Sequence, residues 1–472
     1  MSNKGNNLVS RLCYSFGAFG HDVFNQIIST YFIMFVTSNL FVTDDQHYNE
    51  YMIGIMTTII LVVRVGELTI DPFIGNTIDK TKLKWGKFKP WVVMGTVLSG
   101  LAMIVLFTDM GGLINNPVMY LIVFALVYLF MDIFFSFKDI AIWSMLPALS
   151  FDSREREKTA TYARIGSVFG AQLVTVAVVP IVLFFSKQHN GGAGDSTGWL
   201  AFTIIAVTVS ILGAIAVGLG TKENNSLLRQ NKTETSFKKV FSILLSNDQL
   251  MWLAFSYLLY GSGAYLLNSL QLYYFTYIMG DSSQYSLLGI VNVIIGLLSV
   301  SLFPTLAKKF KRRNLFVYCI SIMLIALIIF ALSNQNLILV LIAAALFNLP
   351  QPLIFLVVLM TMTDIVEYGQ LKLGHRDESL ILSVRPLIDK LAGAITSAVV
   401  GLTAIMAGMS GKATVDTITS ADKFTFHIIM FGIPFICIIL STFIFRKKVT
   451  ITEEEHERIV KELETSWKTI KQ

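Results

Sequence analysis

Residues 64–91 read RVGELTIDPFIGNTIDKTKLKWGKFKPW, and the rest of the chain is read outward from them. The first part places Arg64, Glu67 and Asp71 three and four residues apart inside an apolar run, so a helix carries all three on one face. The second part packs Lys80, Lys82, Lys84, Lys87 and Lys89 into the gap before the next apolar run, as short cytoplasmic loops do under the positive-inside rule. A carboxylate pair at membrane depth beside a basic loop points to a carrier that couples to an ion.

The 472-residue chain is 54% hydrophobic and only 14% charged, with a mean hydropathy of +0.65, far more apolar than a soluble domain. Runs long enough to cross about 30 Å of hydrocarbon as helix fall near 11–42, 50–78, 90–110, 117–149, 158–186, 198–220, 249–279, 285–307, 314–333, 337–367, 379–409 and 424–446, twelve in all. Basic residues gather in alternate loops, from Lys80 to Lys89, Arg154 to Lys158, Lys222 to Lys239, Lys308 to Arg313, Lys372 to Arg376 and Arg446 to Lys448. The opposite loops carry Asp44, Asp45, Glu50, Asp109, Asp195 and Asp281, which predicts both termini in the cytoplasm. The longest polar interruption divides the spans six and six. It predicts an N-terminal bundle at 1–220, a cytoplasmic linker at 221–248, a C-terminal bundle at 249–446 and a cytoplasmic tail at 447–472. In that tail Ile451, Ile459, Val460 and Leu463 form a sparse stripe, as a short amphipathic helix needs.

A charge at the centre of a lipid-facing helix costs about 2.5–3.5 kcal/mol on insertion scales, yet the runs hold many. Asp22 lies in the first, Arg64, Glu67 and Asp71 in the second, Asp132, Lys138 and Asp139 in the fourth, Arg164 in the fifth, and Arg385, Asp389 and Lys390 in the eleventh. They must pair or line a wet cavity; the plain alternative for any one of them is an ion pair that serves assembly alone. Ser136, Asp139 and Trp143 stand at i, i+3 and i+7 and share a helix face. Such a face holds a sugar when the carboxylate accepts from hydroxyls and the indole lies on the apolar side of the ring. Asp22 is a second candidate hydroxyl acceptor.

Other classes lack their residues. No GxxxxGK[ST] phosphate loop occurs, the six histidines show no HExxH spacing, and the three cysteines Cys13, Cys319 and Cys437 are scattered. An ATP-driven motor, a metalloenzyme and a disulfide framework are all disfavoured. The net charge of +6 sits in loops beside spans, where it meets anionic headgroups rather than nucleic acid.

The stretch DPFIGNTIDKTKLKWGKFKPW (71–91), with SFGAFGHD (15–22), KDIAIWSMLPALSFDSRERE (138–157) and DIVEYGQLKLGHRDESLILSVRPLIDKLAGA (364–394), resembles the motifs of the glycoside-pentoside-hexuronide cation symporters, a branch of the major facilitator fold. The last stretch is most similar to the galactoside permeases of lactic-acid bacteria, which take up lactose or raffinose with a proton or exchange one sugar for another. The resemblance assigns cation coupling to Glu67, Asp71 and Ser136, and sugar contact to Asp22, Asp139 and Trp143, with Arg164 and Lys390 near the site. It assigns the tuning of affinity and coupling to His375 and Glu378. His21 stands where the melibiose carrier has a lysine, and Glu67 where it has an aspartate, which weighs against a melibiose-type sodium site. No phosphotransferase-like domain follows in this sequence, so regulation through one is not expected.

The expected protein is therefore an all-α integral membrane protein with twelve transmembrane helices in two six-helix bundles. It is read as a secondary transporter of the bacterial plasma membrane that moves a galactoside with a cation by alternating access. Two carboxylates one turn apart in a poorly solvated site cannot both ionise cheaply, so a proton is the expected coupling ion. Sodium, with Ser136 adding an oxygen, stays open, as does a pentoside or glucuronide substrate. No enzyme activity, cofactor, metal site or nucleic-acid partner is expected; the partners are a small sugar and the lipid bilayer, and the chain is read as a monomer or weak homodimer.

Overall fold

The computed structural model describes residues 4–41, 43, 45–81, 83–149, 153–223, 245–373, 378–411 and 413–470, and among them the chain is helical throughout, with no extended strand. The first helix runs as α1 (Lys4–Gln26), widens through a π-helical turn at Ile27–Tyr31, and continues as α2 (Phe32–Asn39). Then come α3 (Gln46–Lys80), α4 (Lys89–Leu106), α5 (Pro117–Leu149), α6 (Ser153–Phe185) and α7 (Ser196–Gly220). The later part has α8 (Asp248–Tyr273), α9 (Tyr285–Phe310), α10 (Arg312–Ala331), α11 (Leu337–Asn348), α12 (Pro350–Leu373) and α13 (Glu378–Met406). It closes with α14 (Ser420–His427), α15 (Ile433–Lys448) and a tail helix, α16 (Glu453–Ile470).

Among the described residues, eleven helical stretches are long and apolar enough to cross a membrane. The first helix is not among them, because His21, Asp22, Asn25 and Gln26 interrupt its apolar residues; polar groups that the bilayer would reject are what mark this helix for the site. Starts and stops follow capping chemistry. The Asp45 carboxylate accepts the Tyr48 N–H at 3.1 Å to open α3, and Asp195 accepts the N–H groups of Thr197 and Gly198 at 2.9 and 3.0 Å to open α7. Burial works against the Asp195 charge, but N–H bonds from Gln188, Gly198, Lys187 and Thr197 outweigh it and hold the carboxyl below its ordinary range.

The chain forms two compact units. The first takes the described residues of 1–234, 269–293 and 397–426; the second takes those of 235–268, 294–396 and 427–472. In the first unit α1 is clasped between α6 and α7 at glycine contacts. A Cβ on Gly166 or Gly170 would come within 2.3 Å of the carbonyl oxygens of Ser15 and Phe19, so this small-xxx-small pair lets α6 and α1 touch backbone to backbone. The later segments of this unit are tied to α2 by hydroxyls: Thr37 to Tyr273 at 2.6 Å, and Ser38 to Tyr277 at 3.2 Å. Tyr31 meets both Tyr285 at 3.0 Å and Thr175 at 3.1 Å.

In the second unit, α8 and α15 meet where the Ser256 hydroxyl donates to the Ser441 carbonyl at 2.9 Å. Phe316 of α10 stacks on Phe445 of α15 with centroids 3.9 Å apart. Of the expected tail stripe, Ile451 and Ile459 are buried, as is Val449 before it, while the side chains of Val460 and Leu463 lie outside the described residues.

Candidate functional site

The glycine contact between α1 and α6 decides which polar groups meet. One turn along from it, Ser167 of α6 donates to the Asp22 carboxylate of α1. On the neighbouring α5, Asp139 lies with Oδ1 3.1 Å from Nε2 of His21, which is only 3% exposed. The His21 ring stacks on Phe135 at 5.7 Å and meets the Trp143 indole edge-on at 6.1 Å. The Arg164 guanidinium sits 5.7 Å over that indole, a cation–π contact that fixes the plane of the ring. Asp139, Trp143 and Arg164 are thus joined through His21 and one another, and Asp22 is held by Ser167.

A second group forms where α3 faces α5. Ser136 donates to Glu67, which is buried. One turn N-terminal, Arg64 donates from Nε to the Tyr128 hydroxyl at 3.0 Å and from Nη2 to the Ile28 carbonyl at 2.8 Å. Ile28 belongs to the π-helical turn, where the widened ladder leaves carbonyls open to outside donors. The Arg64 field also reaches Asp132 and Glu67, so the cation compensates carboxylates on two helices. Asp71 follows Glu67 by one turn and is half-buried. Lys138 is buried, with its ammonium 4.0 Å over the Phe24 ring and 3.4 Å from the Ser210 hydroxyl.

Lys390 is half-buried on α13 in the second unit. Beside it Asp389 accepts from Tyr265 at 3.0 Å and from Arg385 at 2.6 Å. Glu378 opens α13, its side chain outside the described residues, and His375 lies wholly outside them. Sequence reasoning notes His21 only as a substitution and misses Ser167, Tyr128 and Tyr265. The adjacent His21–Asp22 pair is the available signal for the first; lone serines and tyrosines in apolar runs carry none.

A conserved-family description of MFS/sugar transport proteins matches residues 13–452. The chain belongs to the MFS/sugar transport protein family. It is 53% identical to the lactose permease of Lactobacillus delbrueckii subsp. bulgaricus, across 98% of this chain and 73% of that one. It is 51% identical to the raffinose carrier protein of Pediococcus pentosaceus, across 97% and 72%. Among solved structures, a D-xylose–proton symporter superposes with a TM-score of 0.66 over 95% of this chain and 98% of that one; at 13% identity the likeness is one of fold. The family and the eleven membrane-length helices make this a multi-pass sugar transporter of the plasma membrane.

Proposed function

We propose that this sugar transporter carries galactosides such as lactose or raffinose together with a proton, and that one chain suffices, as a monomer or in a weak homodimer. It moves its substrate unchanged and needs no enzymatic group or cofactor. The observation that supports the sugar site is the joining of Asp139, His21, Trp143 and Arg164. A carboxylate accepts from ring hydroxyls, a fixed indole covers the apolar face of a pyranose, and a guanidinium donates to its oxygens. Asp22, reached by Ser167, adds a second acceptor; Lys390 is proposed as a further sugar contact, and His375 and Glu378 as the residues that tune affinity and coupling. The narrowing to galactosides comes from the lactose and raffinose relatives.

Coupling is assigned to Glu67, Asp71 and Ser136. The carboxylate pair stands one helical turn apart with the Ser136 hydroxyl on Glu67, a placement in which a bound cation offsets the repulsion between the two carboxylates, and sugar and ion then raise each other's affinity by the same factor. Sodium is the second reading, because the Ser136 hydroxyl that reaches Glu67 is also an oxygen that a cation would use. Purified protein in liposomes decides between them. Under an imposed pH gradient in sodium-free buffer, radiolabelled lactose should accumulate and the lightly buffered exterior should turn alkaline. Accumulation that requires added sodium, with no proton movement, would hand the site to sodium; no lactose movement under either gradient would remove the galactoside assignment.

A further inference from the structure

In the second unit, α15 turns from apolar to basic along a single face. Ile436, Leu440 and Phe443 are each about half exposed and follow one another at four and three residues, the spacing of one helix face. Lys447 comes at the next step of four, its ammonium 4.6 Å over the Phe443 ring. Beside it Arg313 of α10 donates from Nη2 to the Arg446 carbonyl, and the stack of Phe316 on Phe445 fixes the two helices together within one turn of that bond. We propose that this corner holds the headgroup of one anionic phospholipid, with Arg313, Arg446 and Lys447 on its phosphate and an acyl chain along the stripe of Ile436, Leu440 and Phe443.

Uncompensated charge is what asks for a ligand here. Five basic side chains gather at the ends of α9, α10 and α15: Lys309, Arg313, Arg446, Lys447 and Lys448. The acidic residues that come near are taken by other cations. Asp364 and Glu453 hold Arg312, Glu454 holds Lys311, and Glu455 holds Arg458. Among the described residues no carboxylate pairs with any of the five. Like charges gathered this way repel, and an incoming anion relieves all of them at once. Arg313 gives one N–H to the Arg446 carbonyl, and the fixed fork of a guanidinium has further donors that suit the oxygens of a phosphate.

The apolar stripe decides what kind of anion this is. A free phosphate or a nucleic acid has no use for exposed Ile, Leu and Phe side chains directly below the charges, whereas a phospholipid presents a phosphate and a hydrocarbon chain in that order. Aromatic rings mark the same level: Lys448 stands 5.1 Å over Trp252 of α8, and Lys309 stands 5.3 Å over Phe310, as amphipathic rings do at the boundary between headgroups and hydrocarbon. A zwitterionic headgroup carries its own ammonium into this cluster and gains less from it, so the preference is for a lipid with net negative charge. The site does not depend on which sugar or ion the transporter moves.

Native mass spectrometry of the full-length protein, released from mixed micelles of phosphatidylglycerol and phosphatidylcholine, counts the lipids that each protein molecule retains. Wild type should hold phosphatidylglycerol in preference to phosphatidylcholine. Each basic side chain beside an anionic headgroup is worth about five-fold in affinity, so Arg446→Gln combined with Lys447→Gln should weaken that retention about 25-fold. This variant leaves the Arg313 bond in place, because Arg446 takes part in it through its backbone carbonyl. Lys80→Gln combined with Lys84→Gln removes the same charge from exposed positions in the first unit and should change nothing. Equal loss in the two double variants, or equal retention of the two lipids by wild type, overturns the site in favour of a general attraction to basic loops. Inorganic phosphate in excess should leave the lipid bound; displacement would make the corner a site for free phosphate. If the Arg446 and Lys447 variant does not fold, wild type alone decides: raising ammonium acetate from about 0.05 M to about 0.5 M screens exposed charges and should release phosphatidylglycerol, and retention indifferent to salt overturns the proposal.

Discussion

Carboxylates inside the helices of this transporter are held differently from carboxylates at the helix ends. Inside, Glu67, Asp22 and Asp139 take hydrogen bonds or ion pairs from side chains on other helices, among them Ser136, Ser167 and His21. At the head of α4, Glu223 instead accepts from three successive backbone N–H groups, Lys87 at 2.7 Å, Phe88 at 3.1 Å and Lys89 at 2.9 Å. A hydroxyl or an imidazole is a contact that a sugar hydroxyl or a proton can replace in kind. Three orphan N–H groups of a helix start have no such substitute. The interior carboxylates are therefore placed to exchange partners, and the end carboxylates are placed to stay.

The sharpest way to break this contrast is Asp139→Asn. Losing a charged acceptor at a half-buried position should weaken galactoside binding by about 100-fold, while the thermal midpoint of the purified protein should hardly move. Binding is read by titration in detergent. Near-normal affinity would mean that Asp139 and His21 form an architectural pair after all.

Glu67→Gln comes next. It keeps an oxygen for Ser136 but removes the charge that Arg64 compensates, so accumulation against a gradient should fail while lactose exchange at equal concentrations survives within a few-fold. Loss of both would move Glu67 from coupling to assembly.

Much of this was legible in the sequence. The helical runs, the basic loop at 80–89 and the intramembrane charges follow from hydropathy and spacing, and most observed helices begin and end within a few residues of the expected ones, while the first begins at Lys4 rather than at 11 and the run expected at 337–367 is divided between α11 and α12 and reaches Leu373. The face shared by Ser136, Asp139 and Trp143 also follows, because a helix fixes it. Partners across helices do not. Ser167 meets Asp22 only because Gly166 and Gly170 bring α6 onto α1, and nothing in a single serine announces that contact. Glu223 lies in the stretch read as a linker, and its role as a cap depends on the turn at Gly86, where φ is +129° and a Cβ would sit 2.6 Å from the Glu223 carboxylate.

Glu223→Gln sharpens the other side of the contrast. An amide presents one acceptor oxygen where the carboxylate presented two, so about 1–2 kcal/mol of stability should be lost, seen as a lower thermal midpoint with lactose affinity unchanged. A variant that keeps its midpoint but loses affinity would put this loop into the sugar site.

The smallest effect is expected at Glu453, which caps α10 as Glu223 caps α4 but with one backbone N–H and one guanidinium N–H from the same residue, Arg312. The turn before it is made by Lys311 at φ +58°, where the earlier loop has a glycine, so this end is held more by side chains and less by backbone. Burial works against the Glu453 charge, but the N–H bonds from Arg312 and from Glu453 itself, with the Arg312 charge, outweigh it and keep the carboxyl below its ordinary value. A depressed carboxyl contributes stability that is present above its unfolded value, about 4.3 for glutamate, and lost as the pH falls through its lower folded value. Protection of the tail backbone from hydrogen exchange should thus fall below about pH 4 as Glu453 takes up a proton. Glu453→Gln should cost about 1 kcal/mol or less and flatten that acid limb. An acid limb unchanged in that variant would assign the low-pH release to Asp364 or Glu367 and leave the cap on α10 without electrostatic weight.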